Sequence, residues 1–168
     1  MNIIFLDVDG VLNSMAYFKY LKKSSKDRQY NEISDFHLQM LSKIYHTCNA
    51  HIVLTSIWRE LDDESDMNCY PIYQYLVKSL AKYDMKIISK TPVINMNRPL
   101  EIVTWLDRRV DKDEIKFVSL DDDFSKEDYE EYCIGECLVH TRFFCNDISE
   151  GGLQQEHVDR AIEILNGE

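Results

Sequence analysis

At 168 residues the chain is long enough for one domain with its own core, read as spanning residues 1–168. Hydrophobic residues make up 45% and charged residues 29%, an ordinary soluble balance, and no apolar stretch approaches the length of a membrane span. A net charge of −11 argues against broad, non-specific affinity for nucleic acid, although a local basic patch is still compatible with it.

The first predicted element is a short buried strand, Ile3–Asp7, from the apolar run Ile3-Ile4-Phe5-Leu6. In extended backbone, residues two apart point to the same side, so Asp7 and Asp9 sit together at the strand's C-terminal end. Two carboxylates this close repel unless they share a proton or a cation lies between them, and hard oxygen ligands suit Mg²⁺. Gly10 lets the chain turn sharply there. Residues 13–33 read as polar and irregular. They carry Lys19, Lys22, Lys23, Lys26 and Arg28, interleaved with Tyr17, Phe18, Tyr20 and Tyr30.

Asp35 reads as an N-cap, and Phe36, Leu38, Leu41, Ile44 and Tyr45 predict a helix to about His46. His51–Thr55 is a second strand, followed by an acid-rich loop from Glu60 to Asp66. Ile72, Tyr73, Leu76, Val77 and Leu80 recur at helical spacing. Met85–Ser89 is a third strand. Pro99 to Val110 is a helix with Ile102, Trp105 and Leu106 on one face, and Pro99 suits its first turn. Lys116–Leu120 and Cys137–His140 are the fourth and fifth strands, and a helix from about Gln155 to Leu165 closes the chain.

Strands alternating with helices predict an α/β fold, a Rossmann-like three-layer sandwich around a mainly parallel five-stranded sheet. Ligands in such sheets bind beyond the carboxyl ends of the strands. Asp7, Thr55 and Asp121 all fall at predicted strand C-termini and converge on one site. The second strand ends in two hydroxyls, Thr55 and Ser56, either of which can hold a phosphoryl oxygen; Thr55 is favoured. Arg59 and Trp58 follow at once. Arg59 either pairs with a substrate phosphate or stacks with Trp58 on the surface. The fourth strand ends in Asp121, Asp122 and Asp123, a run of like charges that is unfavourable unless a cation is shared.

The string Asp7-Val8-Asp9-Gly10-Val11-Leu12, at the end of an N-terminal apolar strand, resembles the first motif of the haloacid dehalogenase-like (HAD) phosphohydrolase superfamily, DxDGx(L/T). The Thr55-Ser56 strand end is similar to the second motif and the Asp121-Asp122 strand end to the fourth. Asp123 then begins the following loop. The third motif is a Lys or Arg near the start of the helix before the fourth strand. Arg98 sits there, with Lys90 as competitor. All four pieces occur in order across roughly residues 3 to 140. The Asp7–Asn13 start, the Thr55–Arg59 segment, the Arg98–Leu106 helix and the three acids look most like small HAD domains associated with RNA repair.

The resemblance implies a Mg²⁺-dependent phosphatase working through an aspartyl-phosphate. Asp7 would be the nucleophile and Asp9 the acid and base. Thr55 and Arg98 would hold the phosphoryl group, with Ser56, Arg59 and Lys90 as further substrate contacts. Asp7, the backbone of Asp9, and Asp121 or Asp122 would bind the metal. An acid two residues after the nucleophile favours phosphate esters over carbon–halogen bonds. Substrate choice in this superfamily is set by inserted caps. Here the intervals after Gly10 and after Ser56 are short, so the cap is minimal, with residues 13–34 as a flap. An open site suits a phosphorylated small molecule or a nucleic-acid end. The basic and aromatic residues of the flap either hold such an end or form a solvated surface.

The five cysteines, Cys48, Cys69, Cys133, Cys137 and Cys145, form no CxxC pair, and no second pair or nearby histidine completes a zinc site. With an N-terminus unlike a signal peptide, they fit a reducing, cytoplasmic setting. Two other readings compete with the phosphatase. One is a non-catalytic binding or regulatory module on the same scaffold. The other is a phosphoacceptor receiver domain, which would place its acceptor on a middle strand of the sequence.

Overall fold

In a computed structural model that describes residues 1–24 and 31–167, β1 (Asn2–Leu6) lies at the centre of a five-stranded, all-parallel sheet. The other strands are β2 (Ala50–Leu54), β3 (Ile87–Lys90), β4 (Lys116–Asp121) and β5 (Leu138–His140). Their spatial order is β3-β2-β1-β4-β5. Asn2 of β1 aligns with Ala50 of β2 on one side and Lys116 of β4 on the other, and the register holds through Leu6.

Six α-helices surround the sheet: α1 (Met15–Lys23), α2 (Asp35–Thr47), α3 (Tyr70–Ala81), α4 (Arg98–Asp107), α5 (Lys126–Glu130) and α6 (Gln155–Asn166). Side chains alternate across the pleat. Ile4, Leu6, Ile52, Leu54, Val118 and Leu120 face the cluster formed with Leu38, Leu41, Ile44, Leu76, Leu80 and Val158 of α2, α3 and α6. Ile3, Phe5 and Val53 face the other way, against Ile102, Trp105 and Leu106 of α4 and Tyr129 of α5. Both faces of β1 are therefore covered, which is why it reads as an unbroken apolar run.

The chain runs outward from β1 to β2 and β3, then crosses back to lay β4 on the opposite side of β1. The strand order reverses between β1 and β4, and a crevice opens there at the carboxyl ends, where Asp7 and Asp121 lie.

Three local expectations need correction. Residues 13–33 are not wholly irregular, because Ser14 accepts a hydrogen bond from the Tyr17 N–H at 3.2 Å and caps α1. Lys26, Arg28 and Tyr30 of that segment lie outside the described residues. The third strand starts at Ile87, since Asp84 adopts a left-handed φ of 55° and Met85 returns its N–H to Leu80, closing the end of α3. The fourth helix begins at Arg98, capped by Asn97, and stops at Asp107; Val110, past the last core-facing residue Leu106, is fully exposed. The five-residue α5 has no long apolar period, and its signal is the capping box of Ser125 with Asp128. Among the described residues, no helix is long and apolar enough to cross a membrane.

Phe5 is fully buried and meets the rings of Trp105 and Phe117 edge-on at 5.4 and 5.5 Å. Phe5→Ala should cost about 3–5 kcal/mol in urea unfolding, the range for an emptied aromatic site in a core.

Candidate functional site

Asp7 is the first residue past β1. Its N–H continues the sheet by donating to the Leu120 carbonyl at 3.1 Å. Its carboxylate is buried and accepts from the Val8 N–H at 2.7 Å and from the Ser56 hydroxyl. The remaining contact is with Arg98, whose Nη1 pairs with Asp7 and, at 2.7 Å, with Asp121. Arg98 opens α4, so the first turn of that helix delivers the cation between two strand ends. Burial pushes the Asp7 carboxyl up to about 6, against the pull of Arg98 and with help from Asp121. Burial also works against the charge on Arg98, but Asp7 and Asp121 outweigh it and drive its pKa above the ordinary arginine value.

Asp121 has both oxygens engaged. One oxygen accepts from Arg98 and from the Asp123 N–H at 2.9 Å, and the other accepts from the Tyr129 hydroxyl at 2.8 Å. Burial and Asp121 raise the Tyr129 phenol well above its usual value, so it stays a donor. The expected metal ligand Asp121 is thus built into a support for Arg98. The oxygens that do gather belong to Asp7, Asp122 and Asp123, within 4.8 Å of one another. Asp123 was expected only to start a loop, and its main chain does so; its carboxylate nevertheless turns back to the cluster. Burial, then Asp123 and Asp7, push Asp122 up to about 7. Gly10 makes room for this acid. At φ 70° it occupies the left-handed region, and a Cβ there would overlap the Asp122 carboxyl.

Asp9 stands on the other side of the turn with both oxygens engaged. Asn13 Nδ2 donates to Oδ1 at 2.8 Å, and Trp58 Nε1 donates to Oδ2 at 2.9 Å. Asn13 Oδ1 in turn accepts from the Gly10 N–H at 3.0 Å, and Thr141 donates to the Gly10 carbonyl at 2.7 Å. One expectation stacks Trp58 with Arg59 on the surface. Instead it is buried and reaches back to the first strand's loop. Sequence spacing held no signal for that contact.

The second strand end divides its tasks. Ser56 bonds Asp7, while the fully buried Thr55 hydroxyl has no partner among the described residues. Arg59 does not stack on Trp58. Its guanidinium is buried, bonded to the Thr55 and Ser56 carbonyls, and paired with Glu101 at 2.8 Å. Glu101 also accepts from the Ile94 N–H at 2.8 Å. This latch joins the loop after β2 to the loop before α4. Lys90 is engaged elsewhere, with Asp62, the Arg59 carbonyl and the face of Tyr73 at 4.5 Å. Of the two cations weighed, Arg98 is the one that the fold brings to Asp7.

Beside the acids lies a cavity of about 340 Å³ lined by Ile57, Arg59, Val93, Met96, Arg98, Glu101, Asp123 and Phe124. The Nε atoms of Arg59 and Arg98 are buried without partners among the described residues. The Thr55 hydroxyl at the end of β2 is a third buried polar group without a partner among the described residues.

The family model for the HAD domain in Swiss Army Knife RNA repair proteins matches residues 3–158, and the chain belongs to that family. No curated protein and no solved structure matched.

Two outcomes test this geometry. Glu101→Leu leaves Arg59 buried without its counter-charge and should cost about 3–5 kcal/mol in denaturant unfolding. Adding Arg59→Met should recover part of that loss, since two carbonyls stay unpaired. The second outcome concerns pH. Asp7 and Asp122 have folded pKa values near 6 and 7, above the ordinary 3.8. Their contribution to stability is full below about pH 4 and is lost as pH rises through those values. Mg²⁺ should therefore raise the thermal midpoint near pH 8 and hardly change it near pH 5. Asp122→Asn should shrink the gain near pH 8 in differential scanning fluorimetry.

Proposed function

We propose that this HAD-family chain is a Mg²⁺-dependent phosphomonoester phosphatase acting through an aspartyl-phosphate on Asp7. One observation carries the reading: Asp7, Asp122 and Asp123 bring carboxylate oxygens within 4.8 Å of one another at the sheet's switch point, beside a fixed guanidinium. A hard divalent cation fits that donor set, and it would offset both the burial and the neighbouring Asp123 and Asp7 charges that raise the Asp122 carboxyl. Asp7, Asp122 and Asp123, with the Asp9 carbonyl, are the residues that would hold it. When bound, the ion neutralises the attacking carboxylate and the phosphate.

In the first half-reaction an Asp7 oxygen forms a bond to phosphorus while the bond to the leaving oxygen breaks, and Asp9 gives that oxygen its proton. In the second, Asp9 takes a proton from water, the water oxygen attacks phosphorus, and the Asp7–phosphorus bond breaks. Arg98 keeps Asp7 oriented and offers its unpartnered Nε to a phosphoryl oxygen, with Thr55 as a second donor. Ser56 supports Asp7 rather than the substrate.

The substrate is a phosphorylated small molecule or a nucleic-acid end. The family's association with RNA repair supports the second, as do the exposed lysines Lys19, Lys22 and Lys23 of α1, the first helix after the Asp9 turn. Short crossovers leave the cleft open, as an extended substrate requires.

Asp7→Asn should abolish turnover of p-nitrophenyl phosphate with Mg²⁺, a loss of roughly 10³-fold or more in kcat for a missing nucleophile. Undiminished activity in that variant would sink the mechanism. A wild-type protein silent across nucleotides, sugar phosphates and 3′- or 5′-phosphorylated oligonucleotides would favour the non-catalytic module instead.

A further inference from the structure

We infer that Trp58 and Asn13 are positioning residues for the leaving-group step: together they lock the plane of the Asp9 carboxyl so that its free lone pairs face the departing oxygen. The inference rests on the phosphatase reading and gives a role to two residues that the motif comparison left without one. A carboxylate has two oxygens and about four acceptor directions. Here one direction on each oxygen is filled by a neutral N–H, from Asn13 at 2.8 Å and from Trp58 at 2.9 Å. One direction on each oxygen stays open to carry the proton and meet the substrate. A single hydrogen bond would let the group swing, whereas one on each oxygen fixes its rotation about the Cβ–Cγ bond.

The two donors are themselves held. Asn13 is fully buried, and its amide orientation is dictated by chemistry: Oδ1 must face the Gly10 N–H and Nδ2 the carboxylate. Trp58 is buried at the edge of the larger core, in the short 3₁₀ turn Ile57–Leu61 that the Arg59–Glu101 pair anchors. Neither donor serves another polar group in the same way. Trp58 Nε1 is a donor only, and a buried tryptophan next to a nucleophilic loop could have pointed it elsewhere. It spans from the second strand's exit to the first strand's turn instead, so the loop bearing the phosphate-holding hydroxyl also aims the acid.

A group that aims an acid has a signature that a merely structural group lacks. The proton matters in the step that expels the leaving oxygen, and it matters more for a poor leaving group than for a good one. kcat/KM reports that step whatever limits turnover afterwards. The test compares Trp58→Phe and Asn13→Ser with the wild type on two esters, an alkyl phosphate such as glycerol 2-phosphate and p-nitrophenyl phosphate. General-acid catalysis contributes about 10²–10⁴-fold, so loosening the acid should lower kcat/KM for the alkyl ester by roughly tenfold or more. The loss on the nitrophenyl ester should be several times smaller in the same variant. Equal losses on both esters, or no loss on the alkyl ester, would overturn the positioning role while leaving the phosphatase reading intact. Trp58→Phe removes core volume as well as the N–H. Asn13→Ser removes no side chain from the apolar clusters, so it decides the question if the Trp58 variant unfolds in circular dichroism. A wild type inactive on both esters overturns the phosphatase reading and this inference together.

Discussion

Four carboxylates converge at the reversal of strand order, and among the described residues one buried cation, Arg98, is fixed among them. Most of the architecture around the cleft answers that constraint. Arg98 is shared by Asp7 and Asp121, and Tyr129 takes the other Asp121 oxygen. This settles two of the four acids by direct bonds. Asp122 and Asp123 stay near Asp7 without an equivalent partner, so negative charge is left over at this point of the fold. The arrangement costs folding free energy and yields a site whose donors are set before any substrate arrives.

Precision comes from tying loops to one another rather than from covering them. The Arg59–Glu101 pair joins the exit of β2 to the approach of α4, and its burial makes it sensitive to loss of either partner. Asn13 and Trp58 tie the first turn to the second strand's exit. Thr141, just past β5, holds the Gly10 carbonyl, so the outermost strand also bears on the first turn. Each motif is thus placed by residues belonging to another.

Much of this was legible in the sequence, for physical reasons. Buried parallel strands are short apolar runs, and Asp7, Thr55 and Asp121 were readable because each interrupts such a run at its carboxyl end. Helices with wide apolar faces, α2, α3 and α4, followed from spacing; α1 and α5, each held by a serine cap with little apolar period, did not. Arg98 was readable from its place at a helix start, whereas the bonds that engage both Asp121 oxygens were not, because Tyr129 and Arg98 reach it from different elements. Arg59 looked like a substrate ligand because its buried acid, Glu101, lies on another helix. Asp123 was underestimated because adjacent residues in a strand alternate sides, a rule that fails once the strand ends and the backbone turns.

The placement of β1 also governs the order in which the molecule can assemble. β1 is made before the other four strands of this sheet, yet Asn2 to Leu6 find their second neighbour only when Lys116 to Leu120 have been made. Until then one edge of the most apolar strand is unpaired, and Asp7 lacks both Arg98 and Asp121. Such long-range pairing slows folding and leaves a nascent chain open to association through that edge. Because the acid cluster forms where β1 meets β4, strands far apart in the chain, partly made chains carry the hazard of the exposed edge without the completed cluster.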